Sequence, residues 1–368
     1  RYVIDKVDVI EPTIPRIHIL DIEIDSDRVP DPRVASSPVT CICVHDSDTD
    51  TYNTFLHHVG EENADVHLFD DRLHNVTCYQ NEKEMLSNFV GWMRRNTPNI
   101  ITGWNTSLFD VTYLISRMGA LGVNFRGLSP MGSVYLRREE KDPPVIKGIS
   151  LLDLYSAYRK LTENQEECYR LDYIARKVVG EGKTESANDL HQLWVEDPKR
   201  LINYNANDVR LCSMINDKLR LIDFLEELRR ITFCQLEDTT NMTRPLDCYI
   251  LKTFHGRKVF PTRTEHEPYA YEGAFVGNWA KGIYDRVAIF DLKSLYPSLI
   301  ITFGLSPETA GHKDESSIEV NGIPISRKRK GFLPEIVENL FKERSRYRKL
   351  MDGEKVDTPM WKLYWDRQ

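Results

Sequence analysis

Apolar and polar positions along this chain recur with two different periods, and the changes of period mark out its strands and helices. Ile17-His18-Ile19-Leu20-Asp21-Ile22-Glu23-Ile24 is rich in β-branched residues and predicts a central strand, flanked by a second at Val39 to Val44. Met85, Leu86, Phe89, Val90 and Met93 recur at helical spacing. Asn99 to Trp104 predicts a strand that leads through Asn105-Thr106-Ser107-Leu108-Phe109-Asp110 into a helix with Tyr113, Leu114 and Met118 inward. The charged run Arg137 to Asp142, between Val134-Tyr135 and Val145-Ile146, predicts a solvent-exposed hairpin tip. Leu151-Leu152-Asp153 reads as a strand just before a helix, a later helix contains Tyr204 to Asp208, and another spans about Asp217 to Arg230. Strands interleaved with amphipathic helices predict an α/β sheet domain.

The composition turns polar and broken from Glu237 to Thr243, which places a domain boundary there and divides the chain into 1–236 and 237–368. Beyond it, Val287-Ala288-Ile289-Phe290 predicts a buried strand ending on Asp291, with Pro297 in the first turn of a following helix. Ile318 to Ile325, centred on Asn321-Gly322, predicts a β-hairpin. Gly331-Phe332-Leu333-Pro334 opens a helix through Leu340, Phe341 and Met351, on which Arg344 and Arg348 lie one turn apart.

Several acids fall where they are expensive. Asp21 and Glu23 alternate onto the same face of an apolar strand, about 7 Å apart, which costs free energy unless a cation pairs them. A structural salt bridge or a metal ion would serve. Tyr204 and Asp208, four apart, share one helical face. Asp153 either supports a site or caps its helix. Asp291, at a strand end before backbone amides that the turn can expose, suits a metal-bound triphosphate; a strand followed by a capped helix is the plainer alternative. Arg344, Arg348 and the run Arg327-Lys328-Arg329-Lys330 read either as phosphate contacts or as solvated basic faces.

Composition narrows the class only a little. At 368 residues the chain accommodates two or three domains with real cores. Its net charge of −7 argues weakly against nucleic acid, yet metal-dependent nucleases cluster acids at their centres. Seven scattered cysteines, none with zinc-ligand spacing, imply reduced thiols. No run of eighteen apolar residues and no signal peptide occur, so a cytoplasmic protein that is not secreted and has no membrane partner is expected. The chain begins at Arg1 and stops at Gln368 within a helical pattern, and both ends read as cut.

The string Asp291-Leu292-Lys293-Ser294-Leu295-Tyr296-Pro297-Ser298 resembles motif A of the family B DNA polymerases. The strings D-I-E at Asp21 to Glu23, N-x-x-x-F-D at Asn105 to Asp110, and Y-x-x-x-D at Tyr204 to Asp208 resemble that family's three exonuclease motifs, in the family's order. Tyr271-Glu272-Gly273-Ala274 resembles the Y-x-G-G/A motif that joins the exonuclease and polymerase parts and contacts the template. Thr102-Gly103-Trp104-Asn105 and Ser306-Pro307-Glu308-Thr309 look closest to phage, viral and archaeal members.

The resemblance implies a ribonuclease H-like 3′–5′ exonuclease domain, followed by part of a polymerase palm and the first fingers helix. It implies that Asp21, Glu23, Asp110 and Asp208 hold two Mg²⁺ or Mn²⁺ ions, with Tyr204 orienting or helping to deprotonate a water. Asn105 and Phe109 would contact the terminal nucleotides, and Tyr271, Gly273 and Ala274 the template. In the second site Asp291 would bind both catalytic metals. The backbone at Ser294, Leu295 and Tyr296 would meet the dNTP, the Tyr296 ring would exclude a ribose 2′-hydroxyl, and Arg344 and Arg348 would hold its phosphates. Primer-template, single-stranded DNA and a sliding clamp are the implied partners. The family's motifs B and C do not occur in these 368 residues, so polymerisation is expected to need a C-terminal portion or a second chain carrying them. A stand-alone exonuclease and an inactive polymerase-like scaffold are the alternatives.

Overall fold

The computed structural model describes residues 13–367 except 27, 59–73, 140–141, 163–164, 184–189, 242, 261–272, 274–276, 278–280 and 293. Two compact units divide the chain, Arg1–Tyr249 and Ile250–Gln368.

The first unit is built on a six-stranded mixed sheet. In chain order its elements are β1 (Ile17–Ile24), β2 (Val39–Asp46), β3 (Thr51–His57), β4 (His74–Tyr79), helix α1 (Glu82–Arg95), β5 (Ile100–Thr102), α2 (Asp110–Ala120), the hairpin β6 (Val134–Tyr135) and β7 (Val145–Ile146), and β8 (Ser150–Leu151). Helices α3 (Leu154–Leu161), α4 (Leu171–Val178), α5 (Leu190–Glu196), α6 (Pro198–Leu219) and α7 (Leu221–Thr232) follow. The sheet order is β4-β3-β2-β1-β5-β8, with β1 antiparallel to β2 and parallel to β5.

Helices cover both faces of the sheet, which accounts for the near-continuous burial of β1 and β2. On one face Leu20, Ile22, Ile42, Val44 and Phe55 pack against the inward sides of α1 and α2, including Met85, Phe89, Met93, Tyr113 and Met118. Each such buried side chain stabilises the fold by about 1.5–3 kcal/mol. On the other face α6 packs over β1 and β2, bringing Ala206, Val209, Cys212 and Ile215 to Ile19 and Cys43. Asn81 caps α1 by accepting from the Lys83 and Glu84 amides, and Asp197 caps α6 before Pro198.

Two boundaries differ from the sequence expectation. The strand expected over Asn99 to Trp104 ends at Thr102, because Gly103 lies so close to β1 that a Cβ there would sit 2.5 Å from the Leu20 carbonyl oxygen. The helix expected from about Asp217 begins instead at Leu221. Arg220 adopts a left-handed conformation, φ 54°, that ends α6, and the Asn216 side chain then accepts the Ile222 amide at the start of α7.

In the second unit α8 (Leu295–Phe303) leaves Ser294, whose φ is 57°, and places Pro297 in its first turn. The hairpin β9 (Ile318–Val320) and β10 (Ile323–Ile325) turns through Asn321 and Gly322, both at positive φ as a two-residue type I′ connection requires. Helix α9 (Phe332–Asp352) follows, with the Phe332 amide donating to Glu308 Oε1 at 2.7 Å, and α10 (Pro359–Arg367) ends the described chain. The strand expected at Val287 to Phe290 does not form. A strand needs a hydrogen-bonded neighbour, none lies beside these residues among those described, and Val287, Ile289 and Phe290 are exposed. Among the described residues no helix is long and apolar enough to cross a membrane.

Candidate functional site

On β1, Asp21 and Glu23 face α6, opposite the small residues Cys43 and Cys41 of β2. A register irregularity between Glu23 and Ile24 ends the regular ladder there, a common device for aiming a side chain at a site. From α6, Asp208 reaches the same place: one carboxylate oxygen each from Asp21, Glu23 and Asp208 lies within 4.8 Å of the others. Asp110 is buried at the N-terminus of α2, where the helix dipole favours an anion.

Crowding and burial push every one of these carboxyls upward. Asp21 is raised to about 8, first by burial and then by Asp208. Glu23 stands well above its ordinary value from burial and from Asp21 and Asp208; for Asp110 the causes are burial, then Asp21. Such a group of acids is stable in its ionised form only with added positive charge.

Part of that charge comes from a residue that sequence reading missed. The Lys183 ammonium pairs with Asp208, donates to the Tyr204 hydroxyl at 3.0 Å, and lies 4.7 Å from the Tyr204 ring centre. Burial works to lower the Lys183 pKa, but Asp208 and Tyr204 outweigh it and hold the ammonium above its usual value. Asp208 is nonetheless raised, because burial exceeds what Lys183 contributes. The pair is therefore an ammonium and a carboxylate that still lacks compensation. Lys183 is held by the irregular segment after α4: its amide donates to Asp172 Oδ1 at 2.7 Å, and a Cβ on Gly182 would fall 2.4 Å from that oxygen. Only the glycine hints at this in the sequence. Asn205, also missed, donates to Asp21 Oδ2 at 2.6 Å, while its own Oδ1 is buried without a partner.

The donor set fits a hard divalent cation: clustered carboxylate oxygens, uncompensated charge, and orphaned oxygens on Asp208 and Asn205. Tyr204 stands one turn before Asp208 with its phenol raised by burial, so it remains protonated. Asn105 is exposed and Phe109 half-buried at the two ends of the turn that precedes Asp110, the Phe109 ring 6.0 Å from Tyr113.

The second set of residues is more open. Asp291 is exposed and shares no metal-sized group of three acidic, histidine or cysteine side chains among the described residues. Ser294 is the residue before α8, Leu295 and Tyr296 are exposed in its first turn, and Arg344 and Arg348 are exposed on α9. Gly273 is exposed; Tyr271 and Ala274 lie outside the described residues.

The family model for the DNA polymerase family B exonuclease domain matches residues 3–174, and that for DNA polymerase family B matches 237–368. The DNA-directed DNA polymerase of Escherichia phage RB69 is 26% identical over 91% of this chain and 42% of its own length. That of Enterobacteria phage T4 is 27% identical over 93% of this chain and 43% of its own. A Thermococcus litoralis DNA polymerase is 26% identical over 75% of this chain and 17% of its own length. The chain thus spans less than half the length of these relatives. The solved structure of the family B DNA polymerase from the hyperthermophilic archaeon Pyrobaculum calidifontis superposes with a TM-score of 0.75 at 23% identity, covering 97% of this chain and 45% of that one, a likeness of fold. Matched by both models, which together take in most of its length, the chain belongs to family B of the DNA polymerases.

Proposed function

We propose that the first unit removes nucleotides from the 3′ end of single-stranded DNA, as the proofreading part of a DNA-directed DNA polymerase. The observation that carries this reading is the convergence of Asp21, Glu23 and Asp208, with Lys183 and Tyr204 against Asp208. Two Mg²⁺ or Mn²⁺ ions held by Asp21, Glu23, Asp208 and Asp110 would supply an activated water and charge stabilisation at the leaving 3′ oxygen. The protein's own groups do the remaining work. Asn205 occupies one oxygen of Asp21 and thereby fixes the carboxylate. The protonated Tyr204 hydroxyl would orient a water, and Lys183 would supply positive charge where a phosphodiester gains negative charge. Asn105 and Phe109, at the two ends of the turn before Asp110, would hold the terminal nucleotides.

Residues 237–368 are read as the start of the polymerase portion, with Asp291 as a metal ligand, Ser294 to Tyr296, Arg344 and Arg348 toward the dNTP, and Tyr271 to Ala274 toward the template. In-line phosphoryl transfer needs carboxylates on both sides of a metal pair. Asp291 has no such companions among the described residues, so nucleotide addition draws on acids from a C-terminal portion or a partner chain.

The test is a 5′-labelled single-stranded oligonucleotide incubated with the chain and Mg²⁺ or Mn²⁺. Stepwise shortening from the 3′ end is expected, and Asp21→Ala should reduce it to background. Digestion that persists in the variant would remove the assignment of the acid cluster. Extension of a primer by this chain alone would remove the reading of the second unit.

A further inference from the structure

The turn between β5 and α2 is held in an unusual shape by a residue from outside it. Asn105 has φ 65°, a left-handed conformation that non-glycine residues rarely keep unless their surroundings impose it, and yet its side chain is exposed. What imposes it is largely the segment that enters α3. Asp153 is 6% exposed. Its Oδ2 accepts from the Ser107 amide at 3.2 Å and the Ser107 hydroxyl at 3.1 Å, and the nearby Asn105 amide also favours its ionised form. Around this centre the Leu154 amide donates to the Gly103 carbonyl at 3.0 Å, and the Trp104 indole donates to the Tyr169 carbonyl at 2.9 Å.

Capping α3 does not explain the whole arrangement. The cap is one bond, from the Ser156 amide to Asp153 Oδ1 at 3.1 Å, and a serine or asparagine would provide it equally well. The second oxygen is spent on Ser107, in the middle of the turn whose ends are Asn105 and Phe109. A buried carboxylate that accepts from several amides fixes the backbone carrying them, since each bond lost strands a buried donor.

We propose that Asp153 is a positioning residue for the 3′ end of the DNA strand, acting through the 105–109 turn to set where Asn105 and Phe109 meet the terminal nucleotides. This rests on the exonuclease reading above. It assigns to Asp153 an effect on how the strand is held, and none on the chemistry of the acid cluster.

Asp153→Ser separates the two roles, because a serine caps α3 but is too short to reach Ser107. With a single-stranded oligonucleotide, KM is expected to rise about tenfold, the weight of one charge-assisted hydrogen bond, with kcat changed less than about threefold. Binding of the same strand in Ca²⁺, followed by fluorescence anisotropy, should weaken by a similar factor. Phe109→Ala should weaken binding in the unmodified chain and add much less in the Asp153→Ser background, which a loss of fold alone would not produce. Unchanged KM and binding, or a fall in kcat that merely follows the folded fraction, overturns the assignment. If the unmodified chain neither binds nor shortens the strand, the exonuclease reading fails and this one with it. If it does both and the variants match it, only the role of Asp153 is lost.

Discussion

At the scale of single residues, the acid cluster stores a charge imbalance that can be measured without any turnover. Asp21, Glu23 and Asp208 share one ammonium, Lys183, and burial raises all three carboxyls. Asp21→Asn removes the cost of protonating that carboxyl or of burying it ionised, while an amide can still meet Asn205. In chelator the variant is expected to melt higher than the unmodified chain, by about 1–3 kcal/mol, the order of the penalty for an unpaired buried polar or charged group. The unmodified chain should in turn gain about 2.7 kcal/mol from Mg²⁺ at a hundred times its dissociation constant, and the variant much less. Equal stabilisation of both by Mg²⁺ in thermal unfolding would show that Asp21 is not a ligand. The sequence displayed the costly acids through strand alternation and helical spacing, which are local rules. It did not display Lys183 or Asn205, because a lysine in an irregular segment after Gly180 and Gly182 and an asparagine beside a tyrosine obey no period. Their partners are chosen by packing.

Among elements, legibility followed where each element's partners lie. β1, β2, α1 and α2 were readable because their apolar sides are covered on both faces of the sheet, so burial and periodicity coincide. The Val287 to Phe290 segment carries an equally strong strand pattern and forms none, since pattern records preference and a ladder needs a neighbour. The join of α6 to α7 was misplaced because Arg220, a residue with no turn preference, takes the left-handed position. The early end of β5 has a sharper physical basis. A Cβ at Gly103 would meet Thr106 Oγ1 at 2.0 Å and the Leu20 carbonyl oxygen at 2.5 Å, so the turn toward Asp110 lies against β1 only because glycine stands there. Gly103→Ala is expected to destabilise the chain by about 1–3 kcal/mol through overpacking, and to lower exonuclease rate in the remaining folded protein by shifting Asp110. Denaturant unfolding paired with an active-fraction titration checks this. A variant of normal stability and rate would mean that the turn can move off β1 at no cost.

For the molecule as a whole, the response of stability to pH depends on a buried group on the face of the sheet away from the acids. His18 is fully buried, with its ring 5.1 Å from Trp92 of α1 and its Nε2 3.6 Å from Asp46 Oδ1 on β2. Two effects compete. Asp46 favours the imidazolium, but Asp46 is already engaged by the Arg16 guanidinium, and Arg16 and His45 both repel a second cation. Burial is the largest influence and the outcome is a lowered His18 pKa. A histidine depressed in the folded state leaves stability intact above its unfolded value of about 6.5. That stability is lost as pH falls through this value toward the folded one, because the unfolded chain then binds the extra proton. Asp46 is depressed as well: burial opposes this, but the nearby His18 ring and the hydrogen bonds from Arg16 and the Asp48 amide prevail. Its contribution is present above about pH 4 and lost below. His18→Leu should therefore abolish the loss of stability that starts near pH 6.5 and shrink, without abolishing, the one below about pH 4, since Arg16 and the Asp48 amide still hold Asp46 down. The difference between the two unfolding free energies should change by up to about 1.4 kcal/mol per pH unit in the upper window. The acid cluster cancels in that difference, being common to both proteins and remote from the substitution. Parallel curves between about pH 5 and 7, the window around the ordinary histidine value, would mean that His18 is not held neutral. A difference of the opposite sign would mean that the pull of Asp46 exceeds the cost of burial.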